Sequence, residues 1–164
     1  MNKLTPLAKG LITTAAMLGL TLFIFYSSQP SGSRLNYLVF ILYAAGILWT
    51  LIEYHRFVNR SAKFSELFGQ GFRCFIVITL IMVAFVGIFS ATHPEFAERD
   101  AKIYRQYLDD KEVKDKLEAE KDQMAADFKK HYTTQLIYTA IFGYLIVGSI
   151  VTAAGSAILL LRRK

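Results

Sequence analysis

The 164-residue chain has little cysteine, little proline and long stretches without charge. Its one cysteine, Cys74, excludes an internal disulfide framework. The three prolines, Pro6, Pro30 and Pro94, stand at the margins of the uncharged stretches, where they cost no helical hydrogen bond. The sequence lacks a G-x-S-x-G motif, a phosphate-binding loop and short metal-ligand spacings. The sequence therefore shows none of the usual signatures of hydrolases, nucleotide-binding enzymes or metalloenzymes.

Asp, Glu, Lys and Arg are absent from four long windows. The windows cover 24 residues after Lys9, 18 after Arg34, 21 after Arg73 and 31 after Lys130. A helix crosses a hydrocarbon core of about 30 Å with about 20 apolar residues, so each window can hold one crossing. Core helices of a soluble protein are the alternative, but residues 11–26 and 74–89 lack the polar face that such helices need.

These windows predict an all-α integral membrane protein with four transmembrane helices and an extracytoplasmic helical insert between helices three and four. We place the helices at about 7–27, 35–54, 72–92 and 133–161, within a single membrane domain that covers residues 1–164. The last window is longer than a bilayer is thick, so the fourth helix must tilt or project from the surface. A cleaved signal peptide is the alternative for the first helix, but its apolar run is long and no A-x-A site follows.

The distribution of basic residues predicts the orientation. The two termini and the link between helices two and three carry nine basic and two acidic residues, whereas residues 95–130 carry nine basic and eleven acidic. Because Lys and Arg accumulate on the cytoplasmic side, we expect both termini in the cytoplasm of a bacterium and the helices in its inner membrane. The basic residues lie in three short juxtamembrane segments, so we expect membrane lipids as partners and no nucleic acid.

Residues 95–130 form a highly charged insert without proline or glycine. Its apolar residues recur at helical spacing: Tyr104, Leu108, Val113, Leu117, Met124 and Phe128. The pattern predicts one or two amphipathic helices outside the membrane, packed on each other or on the bilayer surface. Two interpretations of the insert remain open. It is either an interaction surface, which docks a partner or forms the seam of a coiled-coil dimer, or a solvated hairpin whose apolar face packs against the protein.

The segment FSELFGQGFR, residues 64–73, has the most distinctive pattern of the chain. Its candidate residues for an elbow or docking element are Phe64, Glu66, Phe68, Gly69, Gln70, Gly71 and Arg73. Glu66, Gln70 and Arg73 share one helical face, so Glu66 can contact Arg73, while the glycines permit a bend or a close helix contact. The pattern predicts an interfacial helix that turns into helix three. It is either a structural elbow or a cytoplasmic docking element or lipid-headgroup site.

Small residues recur within the apolar windows. The candidate helix-packing residues are Ala15, Gly19, Gly148, Ser149, Thr152, Ala153, Gly155 and Ala157. Faces of this kind let helices approach closely in lipid. They predict a packed bundle and also a protein partner or a homo-oligomer through the transmembrane helices. The pattern leaves open whether each partner helix belongs to the same chain.

Residues that could carry chemistry are sparse. His55, His93 and His131 lie far apart in the chain, so we expect histidines at the membrane interface and no metal site. Cys74 has no catalytic histidine arrangement, which favours a small core residue. The interior of the four windows holds no ionisable residue, which speaks against an ion-coupled transporter. We therefore expect no catalytic residues, no cofactor and no enzymatic activity.

Four pieces of the sequence carry a resemblance to a known family. They are MNKLTPLAKGLITTAAM at the start, LVFILYAAGILW, the elbow FSELFGQGFR and a final small-residue helix that ends in LRRK. Their order, with the charged insert between them, resembles a family of bacterial membrane proteins called domain of unknown function 4199. The resemblance spans nearly the whole chain. It implies a four-helix inner-membrane protein of a Gram-negative bacterium without known catalytic residues. By association only, it also implies a neighbouring gene for a polyprenyl-phosphate glycosyltransferase.

Three functions follow from these observations as hypotheses. The first is a non-enzymatic accessory, anchoring or scaffold subunit of a membrane complex, which the small-residue faces and the insert favour. The second is a small carrier or flippase for a lipid-linked or apolar substrate, with a path lined by Thr13, Thr14, Thr79, Thr139 and Ser149. The third is an enzyme that works at the elbow with Glu66, Arg73 and Cys74.

Overall fold

The computed structural model describes residues 4–27, 35–110 and 118–161. The elements in these ranges are α1 (Pro6–Tyr26), α2 (Leu35–Glu53), a π-helical turn (Tyr54–Val58), α3 (Phe64–Thr92), α4 (Pro94–Asp110) and α5 (Glu118–Leu161). Within the described ranges no strand is present, which confirms the prediction of an all-helical chain.

Four helical segments are long and apolar enough to cross a membrane. They are Pro6–Tyr26, Tyr37–Val58, Phe64–Thr92 and Glu118–Leu161. The predicted number of helices able to span a membrane is therefore confirmed. The remaining α-helix, α4, is too polar to belong to this set. We treat these four segments as membrane helices below.

Two of the helices start earlier than the sequence analysis placed the membrane crossings. Helix α3 begins at Phe64 and helix α5 at Glu118, not near residues 72 and 133. The reason is that neither junction contains a proline: good helix formers lead into the second one, and Gly69 and Gly71 remain helical within the first. The second half of the predicted insert is consequently the first part of α5. Val113 and Leu117 of the predicted apolar stripe lie outside the described residues.

Local capping explains where the membrane helices begin. The Thr5 side chain accepts a hydrogen bond from the Ala8 amide at 3.2 Å, and Pro6 occupies the first turn of α1. At the start of α3, the Glu66 carboxylate accepts from the Lys63 amide at 3.0 Å. Both bonds satisfy amides that have no partner within their helix.

The chain divides into two compact units. The bundle unit comprises Met1–Met82 and Ala140–Lys164, and the hairpin unit comprises Val83–Thr139. In the bundle unit, the largest buried side chains include Met17 of α1, Tyr43 and Leu51 of α2, and Phe75 and Met82 of α3. These residues form an apolar core that α1, α2 and α3 share.

Tyr43 links three helices of the bundle unit. Its hydroxyl donates to the Tyr144 carbonyl of α5 at 3.0 Å and lies 3.2 Å from Thr79 Oγ1 of α3. Because a phenol has one proton, Thr79 donates to Tyr43 when Tyr43 donates to Tyr144. The Tyr43 and Tyr144 rings also meet edge to face at 5.3 Å. One buried side chain thus fixes the relative positions of α2, α3 and α5.

In the hairpin unit, α4 packs antiparallel on the first part of α5. The Tyr104 and Phe128 rings stack at 4.8 Å, and the Tyr132 hydroxyl donates to the buried Asp100 carboxylate at 2.7 Å. Residues early in α4 therefore face residues late in this part of α5, as in a helical hairpin. Two helices packed on each other were one of the arrangements predicted for residues 95–130.

Candidate functional site

A concave groove with charged and apolar walls lies in the bundle unit. It encloses about 920 Å³ and lies between the end of α2, the π turn and the end of α5. Its lining residues are Leu48, Ile52, His55, Arg56, Phe57, Arg60, Gly155, Ile158 and Leu159. We call it the cationic groove, because its two permanently charged residues are both arginines.

The π turn that forms one wall of the groove has a clear backbone cause. The Asn59 amide donates to the Tyr54 carbonyl at 3.0 Å, five residues back, where an α-helix would pair residues four apart. Asn59 then takes an extended conformation, with φ −146° and ψ 96°, and the helix ends there. Single π turns of this kind are rare and occur often at functional sites. This one presents His55 and Arg56 to the groove.

A short hydrogen-bonded loop holds the next arginine. Asn59 Oδ1 accepts from the Ser61 amide at 2.9 Å, and Asn59 Nδ2 donates to the Glu66 carboxylate at 3.3 Å. Arg60 lies between these anchored residues. The loop that connects the π turn to α3 is therefore pinned at both ends by Asn59 and Glu66.

The predicted elbow, residues 64–73, is the continuous start of α3, with no break at its glycines. The Glu66 carboxylate faces Asn59 and Lys63, and in the described chain it forms no ion pair with Arg73, whose side chain is exposed. Glu66 therefore caps the helix. The expected contact between Glu66 and Arg73 was wrong because the first-turn amides lie nearer to the carboxylate than a side chain two turns away.

The remaining elbow residues divide between two environments. Phe64, Phe68 and Phe72 form a stacked row along α3, with ring centroids 5.9 and 6.3 Å apart. Gly71 is buried, and a Cβ built on it would lie 2.6 Å from Thr152 Cγ2 of α5, whereas one on Gly69 would meet nothing within 4 Å. Only Gly71 permits a close helix contact. Gln70 is half-buried between these environments.

A buried ion pair joins the start of α1 to the end of α2. Lys9 Nζ lies 3.1 Å from Glu53 Oε2, with the Lys9 side chain 4% exposed and that of Glu53 22% exposed. The Lys9 ammonium also lies 5.9 Å from the centre of the Trp49 ring. In the sequence both ions only mark the boundaries of uncharged windows, and their pairing was not predicted. The sequence did contain a signal for this pair. Lys9 borders the first uncharged window and Glu53 borders the second, and the predicted topology places both on the same side of the membrane.

Small polar side chains continue inward from this ion pair. Thr50 Oγ1 donates to the Gly46 carbonyl at 3.0 Å and lies 3.3 Å from Cys74 Sγ. The Cys74 thiol is buried, in keeping with the expected core role. Of the three residues in the hypothetical elbow enzyme, Glu66 caps a helix, Arg73 is exposed and Cys74 faces Thr50. Their contacts do not bring them to one site.

The small residues of the membrane helices separate into an inner and an outer set. The inner set packs closely: a Cβ on Gly148 would lie 2.3 Å from the Tyr43 hydroxyl, and one on Gly155 would lie 2.8 Å from Leu51 Cδ1. Thr152 also belongs to it. The outer set comprises Ala15, Gly19, Ser149, Ala153 and Ala157. All of them are exposed except Ala153, which is half-buried. The packing of the bundle unit thus uses three of the eight predicted residues.

The charged insert carries an ion-pair network in the hairpin unit. Arg105 of α4 pairs with Asp109, Glu118 and Asp122, the last at 2.7 Å. Lys121 bridges Asp109 and Glu118, at 3.1 Å to each. These contacts tie the end of α4 to the start of α5.

The network shifts the pKa values of Asp109, Glu118 and Lys121. Hydrogen bonds from Arg105 and then Lys121 lower the pKa of Asp109, and bonds from Lys121 and then Arg105 lower that of Glu118. The acceptors Asp109 and Glu118 in turn raise the pKa of Lys121. The charged form of every one of these groups is therefore favoured by the fold.

The apolar stripe predicted for the insert lies partly between the two hairpin helices. Tyr104 and Phe128 stack on each other, and Leu108 is buried. Met124 is half-buried. The four described members of the stripe thus serve, at least in part, the packing of the hairpin unit.

The histidines do not form a metal site in the described part of the chain, where no group of three potential ligands occurs. His93 Nδ1 lies 3.0 Å from the Phe89 carbonyl, and the His93 ring stacks on Phe89 at 4.3 Å. His131 is exposed. His55 Nδ1 is buried and has no hydrogen-bond partner among the described residues.

Comparison with known proteins places the chain in a family. The sequence pattern of the family described as "Protein of unknown function (DUF4199)" matches residues 8–160, so the chain belongs to this family. Neither a curated protein nor a solved structure matches the chain. The resemblance seen in the sequence is confirmed.

Proposed function

We propose that this member of the DUF4199 family is a non-enzymatic accessory, anchoring or scaffold subunit of a complex in a bacterial inner membrane. Both termini then lie in the cytoplasm, and residues 95–130 lie on the opposite side. The supporting pattern is the excess of basic residues in the termini and in the link before α3. A polyprenyl-phosphate glycosyltransferase is one partner that fits such a role.

The observation that carries this proposal is the outer set of small residues. Gly19 and Ala15 form an exposed face of α1, and Ser149 and Ala157 form one on α5. A Cβ on Gly19 would meet nothing within 4 Å. Since lipid chains gain nothing from small side chains, uncovered faces of this kind suit the close approach of another helix. That helix belongs to a partner protein or to a second copy of the chain.

The length of α5 supports an organising role as well. Its 44 residues are about twice the roughly 20 that a helix needs to cross a hydrocarbon core. The same helix carries the ion-paired residues Glu118 and Lys121 and the small residues of the membrane segment. One helix therefore contributes residues to the packing of both units.

Capture from native membranes tests the proposal. The tagged full-length protein is extracted in a mild detergent, and its partners are identified by mass spectrometry. Gly19→Leu should remove at least about nine tenths of a stoichiometric partner, because the larger side chain separates the helices. Ile12→Leu, at another exposed position of α1, is the matched control and should retain the partner. Recovery of the chain alone as a monomer would contradict the proposal.

A carrier or flippase for a lipid-linked or apolar substrate is the second candidate. The cationic groove favours it, since two arginines lie above an apolar lining in one cavity. In proteoliposomes, such a carrier should move fluorescent polyprenyl-phosphate sugars between leaflets faster than protein-free vesicles do. Equal rates with and without protein would remove this candidate and leave the accessory role unaffected.

A further inference from the structure

The arginines of the cationic groove carry charge that nothing in the described chain neutralises. Arg56 and Arg60 are exposed and form no ion pair with any described carboxylate. The nearest acids along the chain are committed elsewhere, Glu53 to Lys9 and Glu66 to the cap of α3. The groove therefore has two guanidinium groups without a counter-ion.

The rest of the groove is apolar. Leu48 and Ile52 come from α2, and Ile158 and Leu159 come from α5. Gly155 lets the helices close into this lining, since a Cβ there would lie 2.9 Å from Leu48 Cδ2. Exposed leucine and isoleucine side chains thus stand beside the two cations within one cavity of about 920 Å³.

The two halves of the lining together specify the chemistry of an occupant. A free anion would neutralise the arginines but leave the apolar wall uncovered. An uncharged lipid would cover the apolar wall but leave the arginines without a counter-ion. A cavity of this volume is at the upper end of the roughly 300–1,000 Å³ of small-ligand sites, so a lone phosphate would not fill it. Arginine binds phosphate through paired hydrogen bonds, and basic pockets between membrane helices accept phosphorylated headgroups.

We infer that the cationic groove binds a phosphate-bearing lipid. Its phosphate contacts Arg56 and Arg60, and its hydrocarbon chain lies along Leu48, Ile52 and Ile158. The π turn contributes by presenting Arg56 at the end of α2, while the Asn59 hydrogen bonds hold the loop that carries Arg60. This inference concerns binding alone and depends neither on an accessory role nor on transport.

Lipid binding to the purified full-length protein tests the inference. Dioleoyl phosphatidic acid is titrated onto the protein in an uncharged detergent and followed by native mass spectrometry. We expect one tightly bound lipid per chain, and an affinity at least about tenfold lower for the double variant Arg56→Gln/Arg60→Gln. The matched control Lys63→Gln/Arg73→Gln removes the same number of charges, just before α3 and within its first turns but outside the groove, and it should change the affinity less than about twofold.

Two further probes separate the lipid from other sources of charge or apolar contact. Dioleoylglycerol, which lacks the phosphate, should not occupy the site, and inorganic phosphate should bind at least about a hundredfold more weakly than the lipid. Equal weakening by both double variants would show general attraction to anionic lipid and overturn the inference. Tight binding of inorganic phosphate alone would overturn it too, in favour of a soluble ligand.

A variant of the apolar wall keeps the test decisive if the arginine variant fails to fold. Ile158→Gln should weaken lipid binding at least about fivefold, because the hydrocarbon chain loses its apolar contact. Ile150→Gln, at an exposed position of α5 outside the groove, is its control and should bind as the natural chain does. Unchanged binding in Ile158→Gln would contradict a chain seated in the groove.

Discussion

The bundle unit and the hairpin unit rely on different kinds of contact. In the bundle unit, helices meet where glycines allow backbones to approach, as at Gly46 and Gly148, and polar bonds are few and buried. In the hairpin unit, charged side chains such as Arg105 and Lys121 connect the helices near the surface. The bundle unit thus depends mainly on shape, and the hairpin unit depends in large part on charge.

This difference follows from the composition of the two units, since the charged residues 95–110 and 118–130 belong to the hairpin unit. In lipid, apolar side chains gain little from leaving their surroundings, so close packing and internal hydrogen bonds must hold the helices together. In the charged part of the hairpin unit, Tyr104 and Phe128 stack on each other, and exposed ion pairs add small, salt-dependent contributions. We therefore expect mutations to be most severe in the bundle unit, and salt and pH to act mainly on the hairpin unit.

Enlarging Gly46 should have the largest effect. A Cβ there would lie within 3 Å of three atoms of Thr13, including its Cβ at 2.9 Å, so no rotation of Thr13 makes room. Gly46→Leu should lower the free energy of unfolding by about 3 kcal/mol or more, because α1 and α2 must separate. Thermal unfolding in detergent measures this. Gly69→Leu, whose added side chain meets nothing within 4 Å of its Cβ, should unfold near the natural temperature, and similar losses in both variants would contradict the packing argument.

Breaking the buried ion pair should have the next largest effect. Glu53→Gln leaves the almost fully buried Lys9 ammonium without its counter-ion, and we expect a loss of about 2–4 kcal/mol. Lys9→Met should cost less, because the Glu53 carboxylate is partly exposed. The double variant Lys9→Met/Glu53→Gln should be more stable than Glu53→Gln alone. Additive losses in this double-mutant cycle would show that the two residues do not interact.

Removing the Tyr43 hydroxyl should have a moderate effect. Tyr43→Phe leaves Thr79 without its partner on α2 and should cost about 1 kcal/mol. Tyr37→Phe is the control on the same helix, since that side chain is 69% exposed. Chemical unfolding of the two variants in one detergent gives the comparison. Equal stability of both would mean that the buried hydroxyl does not link the helices.

Neutralising Arg105 should have a small, local effect. Arg105→Gln removes two ion pairs between α4 and α5 and one within α4, so amide hydrogen exchange in α4 should become roughly threefold faster, while exchange in α2 is unchanged. Addition of 0.5 M salt to the natural protein should act in the same direction. A slowdown in α4, or an equal change in α2, would contradict the assignment of charge to one unit.

Changes of pH should give the smallest effect under ordinary conditions. The lowered pKa values of Asp109 and Glu118 mean that their contribution is complete above the unfolded value of about 4 and is lost as the pH falls below it. The raised pKa of Lys121 means that its contribution is lost only as the pH rises above about 10. Exchange protection of α4, corrected for the intrinsic rate, should therefore be flat from pH 5 to 9 and fall at pH 3. A maximum near neutrality would contradict this.

Absence of charge was enough to predict the general fold. The four uncharged windows after Lys9, Arg34, Arg73 and Lys130 correspond to the four apolar helices, because in lipid a chain segment must satisfy its own backbone. The helix ends were harder to predict. Phe64 and Glu118 begin helices that run into the membrane segments without a break, and composition alone does not mark where such a helix leaves the membrane.

The rotation of each helix could not be predicted from one sequence. Gly148 and Ser149 are neighbours at about 100° on α5, and small residues follow both at helical spacing, yet only Gly148 faces Tyr43. Periodicity relates residues within a helix and says nothing about which side meets a neighbour. Two features were not predicted for the same reason: the ion pair of Lys9 with Glu53, and the groove that Arg56 lines together with α5. Each of them depends on which helix ends are adjacent.

The π turn has a consequence for changes in chain length. Its hydrogen bond from Asn59 to Tyr54 spans one residue more than an α-helical bond would, so the turn stores one extra residue at the end of α2. Deletion of a single residue within 54–58 can be absorbed by conversion to an ordinary α turn, with little strain in the bundle. The deletion would nevertheless rotate and shift the residues that follow, so that Arg60 no longer faces the groove. At this position a one-residue deletion should alter binding more than folding.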